Sequence, residues 1–195
     1  MIPYEFEADR FSRWIAYVLR HNPSRYGLEP DRYGYVDFRA FAELAKRHAA
    51  TMTLERLREF LIASGAERFE ITGNRVRARY GHSIAVEPAG SPVMPPEHLY
   101  HGTERGHMAA IQRDGLQPIG RRMIHFSATF QEALAVAGRN TEQPMVVRIL
   151  AREAHAAGIA FHQEGRVYLA AQVPPQFLCI EPMPSDALSP QPDQP

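Results

Sequence analysis

The chain has 195 residues, 45% hydrophobic and 23% charged, proportions ordinary for a water-soluble globular protein of one large or two small domains. Its 22 basic and 22 acidic residues cancel, which excludes a global field that draws in nucleic acid; a polyanion needs a local patch. A single cysteine, Cys179, excludes an intramolecular disulfide and any multi-cysteine zinc site, and no apolar run approaches the ~20 residues of a helical membrane span.

Nothing at the N-terminus resembles a signal peptide, so the expectation is a soluble, cytoplasmic protein with no membrane partner. Among the basic residues only Lys46 is a lysine. Arginine forks suit phosphate and carboxylate, although genomic base composition explains the overall bias more simply. Cys179 lies in the apolar run Phe177–Ile180 and is expected to be buried.

Phe11, Trp14, Ile15, Val18 and Leu19 recur at helical spacing and predict an amphipathic helix. Pro23 stops it, because the residue before a proline disfavours helical geometry. Its last turn therefore carries Arg20 and His21, an Arg-His pair able to hold a phosphate and manage its protons. The plainer explanation of such a pair is a helix cap. A second helix is expected after Asp37 as N-cap and a third after Thr51 or Thr53, stopping near Gly65. Residues 68–71 and 75–80 then predict a hairpin turning at Thr72-Gly73-Asn74. Three helices and a hairpin are a winged-helix pattern.

Arg75, Arg77 and Arg79 share one face of the second hairpin strand, since strand side chains alternate. Like charges so placed repel unless an anion or acids lie opposite; Glu70 can neutralise one. Gly81-His82-Ser83 follows directly, and then a Pro/Gly-rich stretch, 87–96, divides the sequence as a linker.

Beyond it, strands are expected at 99–103, 124–127, 145–150, 160–162, 166–169 and 177–180. Helices are expected from Gly106 to Arg113, closed by Gly115, and from Thr129 to Arg139. Residues 183–195 are Pro-rich and polar, a tail expected to be disordered. Nine histidines invite a metal reading, but no ligand-like spacing supports one, and neither a P-loop nor a Rossmann fingerprint is present.

In order along the chain stand Tyr17–Pro23, Gly27-Leu28, Gly34–Asp37, Arg68-Phe69, 77–83, Leu99–Thr103, Gly115-Leu116, Pro118, 125–127, Arg139 and 165–169. This ordered set resembles the RNA 2′-phosphotransferases, the NAD-dependent enzymes of the tRNA-splicing type, over about residues 11–181. The resemblance implies an α+β chain with an N-terminal winged-helix lobe (1–87), a linker (88–96) and a C-terminal ADP-ribosyltransferase-like lobe (97–182). It implies RNA with an internal 2′-phosphate as substrate and NAD+ as co-substrate, with no metal. An ADP-ribosylated RNA phosphate would form, then resolve to 2′-OH RNA, nicotinamide and ADP-ribose 1″,2″-cyclic phosphate.

By the same resemblance Arg20, His21, Arg77 and Arg139 form a catalytic tetrad. His82, Ser83 and Arg68 bind the RNA-side phosphates. His101, Gly102, Thr103, His125, Ser127 and Val167 line the NAD+ site. The sequence departs from the family pattern at Tyr80, where glutamine is common, at Arg79, and at Ala66-Glu67, where basic residues are usual. Two other readings are compatible with parts of this pattern: ADP-ribosylation of terminal phosphates on RNA or DNA, and a non-catalytic winged-helix regulator that senses NAD. Oligomeric state is not legible.

Overall fold

The computed structural model describes residues 4–63, 67–139 and 141–180. It combines six helices with small antiparallel sheets among those residues. Its hydrophobic residues gather in two clusters, one built from residues 11–78 and the other from residues 99–173. These define an N-terminal and a C-terminal lobe.

In the N-terminal lobe, α1 (Tyr4–His21), α2 (Phe38–His48) and α3 (Leu54–Ala63) pack on a sheet of β1 (Val36–Asp37), β3 (Arg75–Ala78) and β2 (Phe69–Thr72). Phe11, Ile15, Val18 and Leu19 form the buried stripe of α1, as their spacing requires. They meet Phe38, Phe41, Leu57 and Val76, all fully buried. Each such side chain contributes about 1.5–3 kcal/mol by leaving water. Asp37 caps α2 by accepting from the Ala40 amide at 2.8 Å. Thr53 rather than Thr51 caps α3, accepting from Arg56 N at 3.2 Å. The third helix is described to Ala63, and its expected stop at Gly65 lies outside the described residues.

In the C-terminal lobe two sheets form. β4 (His98–Glu104), β6 (Pro144–Leu150) and β9 (Leu178–Ile180) make one; β5 (Ile124–Phe126), β8 (Val167–Ala170) and β7 (His162–Glu164) make the other. Tyr100 and Ser127 exchange backbone hydrogen bonds at 3.0 and 2.8 Å and so join them. α4 (Met108–Asp114), α5 (Phe130–Ala137) and α6 (Ala151–Ala156) complete the lobe, with Thr129 capping α5 through the Glu132 amide.

Three expectations shift, and one helix is new. β7 runs 162–164 rather than 160–162, because Phe161 turns into the core as its strand begins. α6 has no apolar period of its own and follows β6 directly, burying only Ala151 and Ala154. Cys179 is half-buried, since β9 pairs only with β6 at a sheet edge. Arg139 lies beyond the end of α5, on an exposed turn. The expected tail, 183–195, lies outside the described residues. No helix among them is long and apolar enough to cross a membrane.

Candidate active site

The end of α1 brings Arg20 and His21 against Gly81 and Ser83, beside a cleft lined by both lobes. Arg77, Arg79, Tyr80, Gly81 and His82 line one side of it and Met123, His125 and Leu169 the other. Local backbone contacts hold the first side together. The Ser83 amide donates to the Arg20 carbonyl at 3.1 Å, and the Ser83 hydroxyl lies 2.9 Å from His21 Nδ1. Gly81 passes close over the Arg20 side chain.

Arg20 Nε and Nη2 are buried without a hydrogen-bond partner among the described residues. Burial lowers the Arg20 pKa to about 10; Tyr80 opposes the shift, while the charges of Arg68 and Arg121 add to it. The Arg20 guanidinium lies 5.1 Å from the Tyr80 ring centre, a cation–π distance. His21 is pushed below its ordinary pKa by burial, then by Arg20 and Arg121. Arg68 donates to Ser12 Oγ at 2.8 Å, which ties its side chain to α1.

Three further imidazoles are held neutral. His82 falls to about 4 through burial, with Arg20, Arg77 and His21 adding to it. His125 falls to about 3 through burial, then Arg121 and Arg20, with His101 and His82 adding. The Nε2 atoms of both are buried without a hydrogen-bond partner among the described residues. His101 is also lowered, first by burial. Its Nδ1–H donates to the His125 carbonyl at 2.9 Å, which fixes the tautomer and leaves Nε2 as an acceptor.

Arg77 has different neighbours. It is 3% exposed, and its guanidinium donates to Glu70 at 2.7 and 2.8 Å and to both oxygens of Glu164 at 2.9 and 3.0 Å. Burial alone would lower its pKa, but Glu164 and Glu70 raise it above the ordinary value. Arg79 also reaches Glu70 at 3.3 Å, and Arg75 pairs with Asp31 at 3.2 Å. The arginines on this strand thus find acids opposite, two of them outside the hairpin. Of the expected tetrad, Arg20 and His21 come together, while Arg77 is occupied by carboxylates. No described interaction links Arg139 to the other three.

The remaining expected residues lie on β4, just after β5 and on β8. Gly102 and Thr103 continue β4 opposite Val146 and Met145. Gly102 is required there for packing, because a Cβ would lie 2.2 Å from the Ala133 carbonyl of α5. Ser127 spends its backbone on the bridge to Tyr100, and Val167 opens β8 opposite Glu164.

One cation beside the cluster was not anticipated from the sequence. Arg121, exposed on the C-terminal lobe, is near enough to Arg20, His21, His101 and His125 to lower their pKa values. In a chain so rich in arginine, only its position four residues before His125 marks it. The structure therefore gathers Arg20, His21, Arg68 and Arg121, with His82, His101 and His125 beside them. Several buried polar atoms of this group have no hydrogen-bond partner among the described residues. An unmatched buried polar group costs about 1–3 kcal/mol, so the arrangement suits an anionic, hydrogen-bonding ligand. Among the described residues no group of three or more acids, histidines or cysteines could hold a metal ion.

Residues 7–172 match the family model described as RNA 2′-phosphotransferase, Tpt1/KptA family. Proteins named probable RNA 2′-phosphotransferase are similar over most of their length. The one from Pseudomonas paraeruginosa is 40% identical over 174 residues, covering 87% of this chain and 95% of its own. Those from Streptomyces coelicolor (35%, covering 87% and 93%) and Thermococcus kodakarensis (33%, covering 89% and 97%) align across similar spans.

Proposed function

The chain belongs to the RNA 2′-phosphotransferase (Tpt1/KptA) family, and from that premise we propose that it removes an internal 2′-phosphate from RNA by transferring it to NAD+. In this reading the N-terminal lobe is a winged-helix RNA-binding lobe and the C-terminal lobe is ADP-ribosyltransferase-like. The observation that carries the reading is the set of buried Arg20, His82 and His125 nitrogens that have no partner among the described residues, with His82 and His125 lining one cleft and Arg20 acting electrostatically on both.

The reaction divides into two displacements. First, an oxygen of the RNA 2′-phosphate attacks the anomeric carbon of the nicotinamide ribose and the bond to nicotinamide breaks. The nucleophile is already an anion, so this step needs no general base. Second, the ribose 2″-hydroxyl attacks phosphorus and gives its proton to solvent. The bond from phosphorus to the RNA 2′-oxygen breaks, that oxygen takes a proton, and ADP-ribose 1″,2″-cyclic phosphate leaves.

Charge accumulates on the phosphoryl oxygens in the second step, and preorganised guanidinium groups stabilise it. By the family resemblance Arg20 and Arg77 supply that charge from one lobe and Arg139 from the other, with Arg68 and Arg121 adding to the positive field beside Arg20. His21 is the proton manager. In the free protein Arg20 and Arg121 hold it below its ordinary pKa. A bound phosphate dianion reverses that field and raises it, so the imidazole protonates as substrate arrives and can act as general acid to the RNA 2′-oxygen. On the NAD+ side, His101 Nε2 is an acceptor suited to a ribose hydroxyl. His125, Gly102, Thr103, Ser127 and Val167 would line the same co-substrate.

The test is incubation with NAD+ and an oligoribonucleotide bearing one internal 2′-phosphate. Nicotinamide, 2′-OH RNA and ADP-ribose cyclic phosphate are expected. Accumulation of ADP-ribosylated phosphate without the cyclic product would instead favour an enzyme that stops after the first displacement.

A further inference from the structure

We propose that the tip of the β7–β8 hairpin is a lock that sets the two lobes against each other, with Glu164 as its positioning residue. The three residues of the tip each touch the N-terminal lobe. Glu164, 2% exposed, accepts from Arg77 with both carboxylate oxygens. Gly165 turns the chain at φ +64°, and a Cβ there would lie 3.2 Å from the Glu67 carbonyl and 3.3 Å from its Cα. Arg166 pairs with the Glu67 carboxylate.

The chemistry of the tip matches what it grips. Glu70, Glu164, Arg77 and Arg79 form a neutral quartet at the lobe boundary, with Arg79 reaching Glu164 at 3.6 Å. The Tyr35 ring lies 5.0 Å from the Arg77 guanidinium. The linker joins in, since the Ala89 amide donates to Glu164 at 3.3 Å. Glu67, one of the departures from the family pattern, thus has a partner in Arg166. It immediately precedes Arg68 in the chain, and Arg68 accepts a backbone hydrogen bond from Arg79 at 3.0 Å. The lock therefore holds the hairpin that carries one of the cleft's cations.

Such a lock matters because the cleft is built from both lobes. Arg20, His21 and Arg68 come from one and Arg121, His101 and His125 from the other. A displacement at the anomeric carbon followed by one at phosphorus needs these groups in a single fixed arrangement, and a misplacement of about 1 Å can cost 10²-fold. A buried ion pair, in which one guanidinium nitrogen reaches both carboxylate oxygens, reinforces the backbone hydrogen bond that also crosses, Arg122 N to the His82 carbonyl (3.1 Å), while Val93 N to the Phe161 carbonyl (2.7 Å) ties the linker to the C-terminal lobe.

The experiment compares the full chain with Glu164→Gln, and with Glu67→Ala as an exposed change that leaves the hairpin whole. Amide hydrogen exchange is followed at Ala89, Val93 and Arg122. Faster exchange at these amides in Glu164→Gln, with exchange in the two cores unchanged, is expected; Glu67→Ala is expected to act in the same direction and less. If Glu164→Gln does not fold, Glu67→Ala decides by the same readout. Unchanged exchange at all three amides overturns the lock, whatever the enzyme does. With NAD+ and 2′-phosphorylated RNA, kcat in Glu164→Gln is expected to fall about 10–100-fold with each KM within about threefold. A raised KM with unaltered kcat would mark Glu164 as a ligand contact and overturn the proposal. The role of the cleft as reaction site rests on the proposed function. Wild-type protein that releases no nicotinamide would refute that function and leave the exchange result standing.

Discussion

Two arginine clusters lie within a few residues of each other and are treated in opposite ways. Around Arg77 each cation meets a carboxylate, and the group is neutral and closed. Around Arg20 the cations meet other cations and neutral imidazoles, and buried nitrogens lack partners. Leaving buried charge uncompensated is costly in a folded protein. The first cluster is neutralised within the protein, though Arg77 and Arg79 also line the cleft. The second retains a cost that a bound anion would relieve, a difference that sequence spacing does not show.

The largest break in this comparison comes from Arg77→Met. It strands Glu164, and a loss of about 3–5 kcal/mol is expected on chemical denaturation. Arg20→Met should do the reverse. Turnover is expected to fall about 10²–10³-fold, by analogy with the loss of one transition-state donor, while the melting temperature holds or rises. If Arg20→Met unfolds the protein and Arg77→Met spares it, the assignment of the two clusters is inverted.

The imidazoles sharpen the contrast through pH. His82 and His125 are depressed on folding, so the unfolded chain binds protons that the native state refuses. Stability is therefore full above the unfolded histidine value and is lost as pH falls towards the folded values. About 3 kcal/mol per histidine is expected to disappear between about pH 6.5 and 4. Stability measured against pH should show this, and inorganic phosphate should reduce it. A flat profile across that range would refute the burial of two neutral imidazoles.

Smaller effects come from the rim. Arg121→Ala removes one of the charges holding His21 down, so the His21 resonance should titrate at higher pH, with the fold unaffected. The smallest is Tyr80→Gln, where loss of the cation–π contact with Arg20 is expected to cost about 0.5–1 kcal/mol of stability.

How much of this was legible beforehand depended on range. The α1 stripe, the caps at Asp37 and Thr129 and the hairpin at 72–74 follow from neighbours within a turn or two, and they stand in the structure as their residues imply. The acid opposite Arg77 was half legible: Glu70 lies across the hairpin, while Glu164 lies 87 residues away. Arg121 carried no local signature, and α6, with two buried alanines, carried almost none.

The sequence by itself determined the elements, their caps and the order of motifs that marks the family, because periodicity, capping and turn chemistry act over a few residues. Tertiary structure alone decided which arginines are neutralised and which stay bare. Pairing depends on distance in space and on the exclusion of water, and both are set when the tip of one hairpin closes on the strand of another.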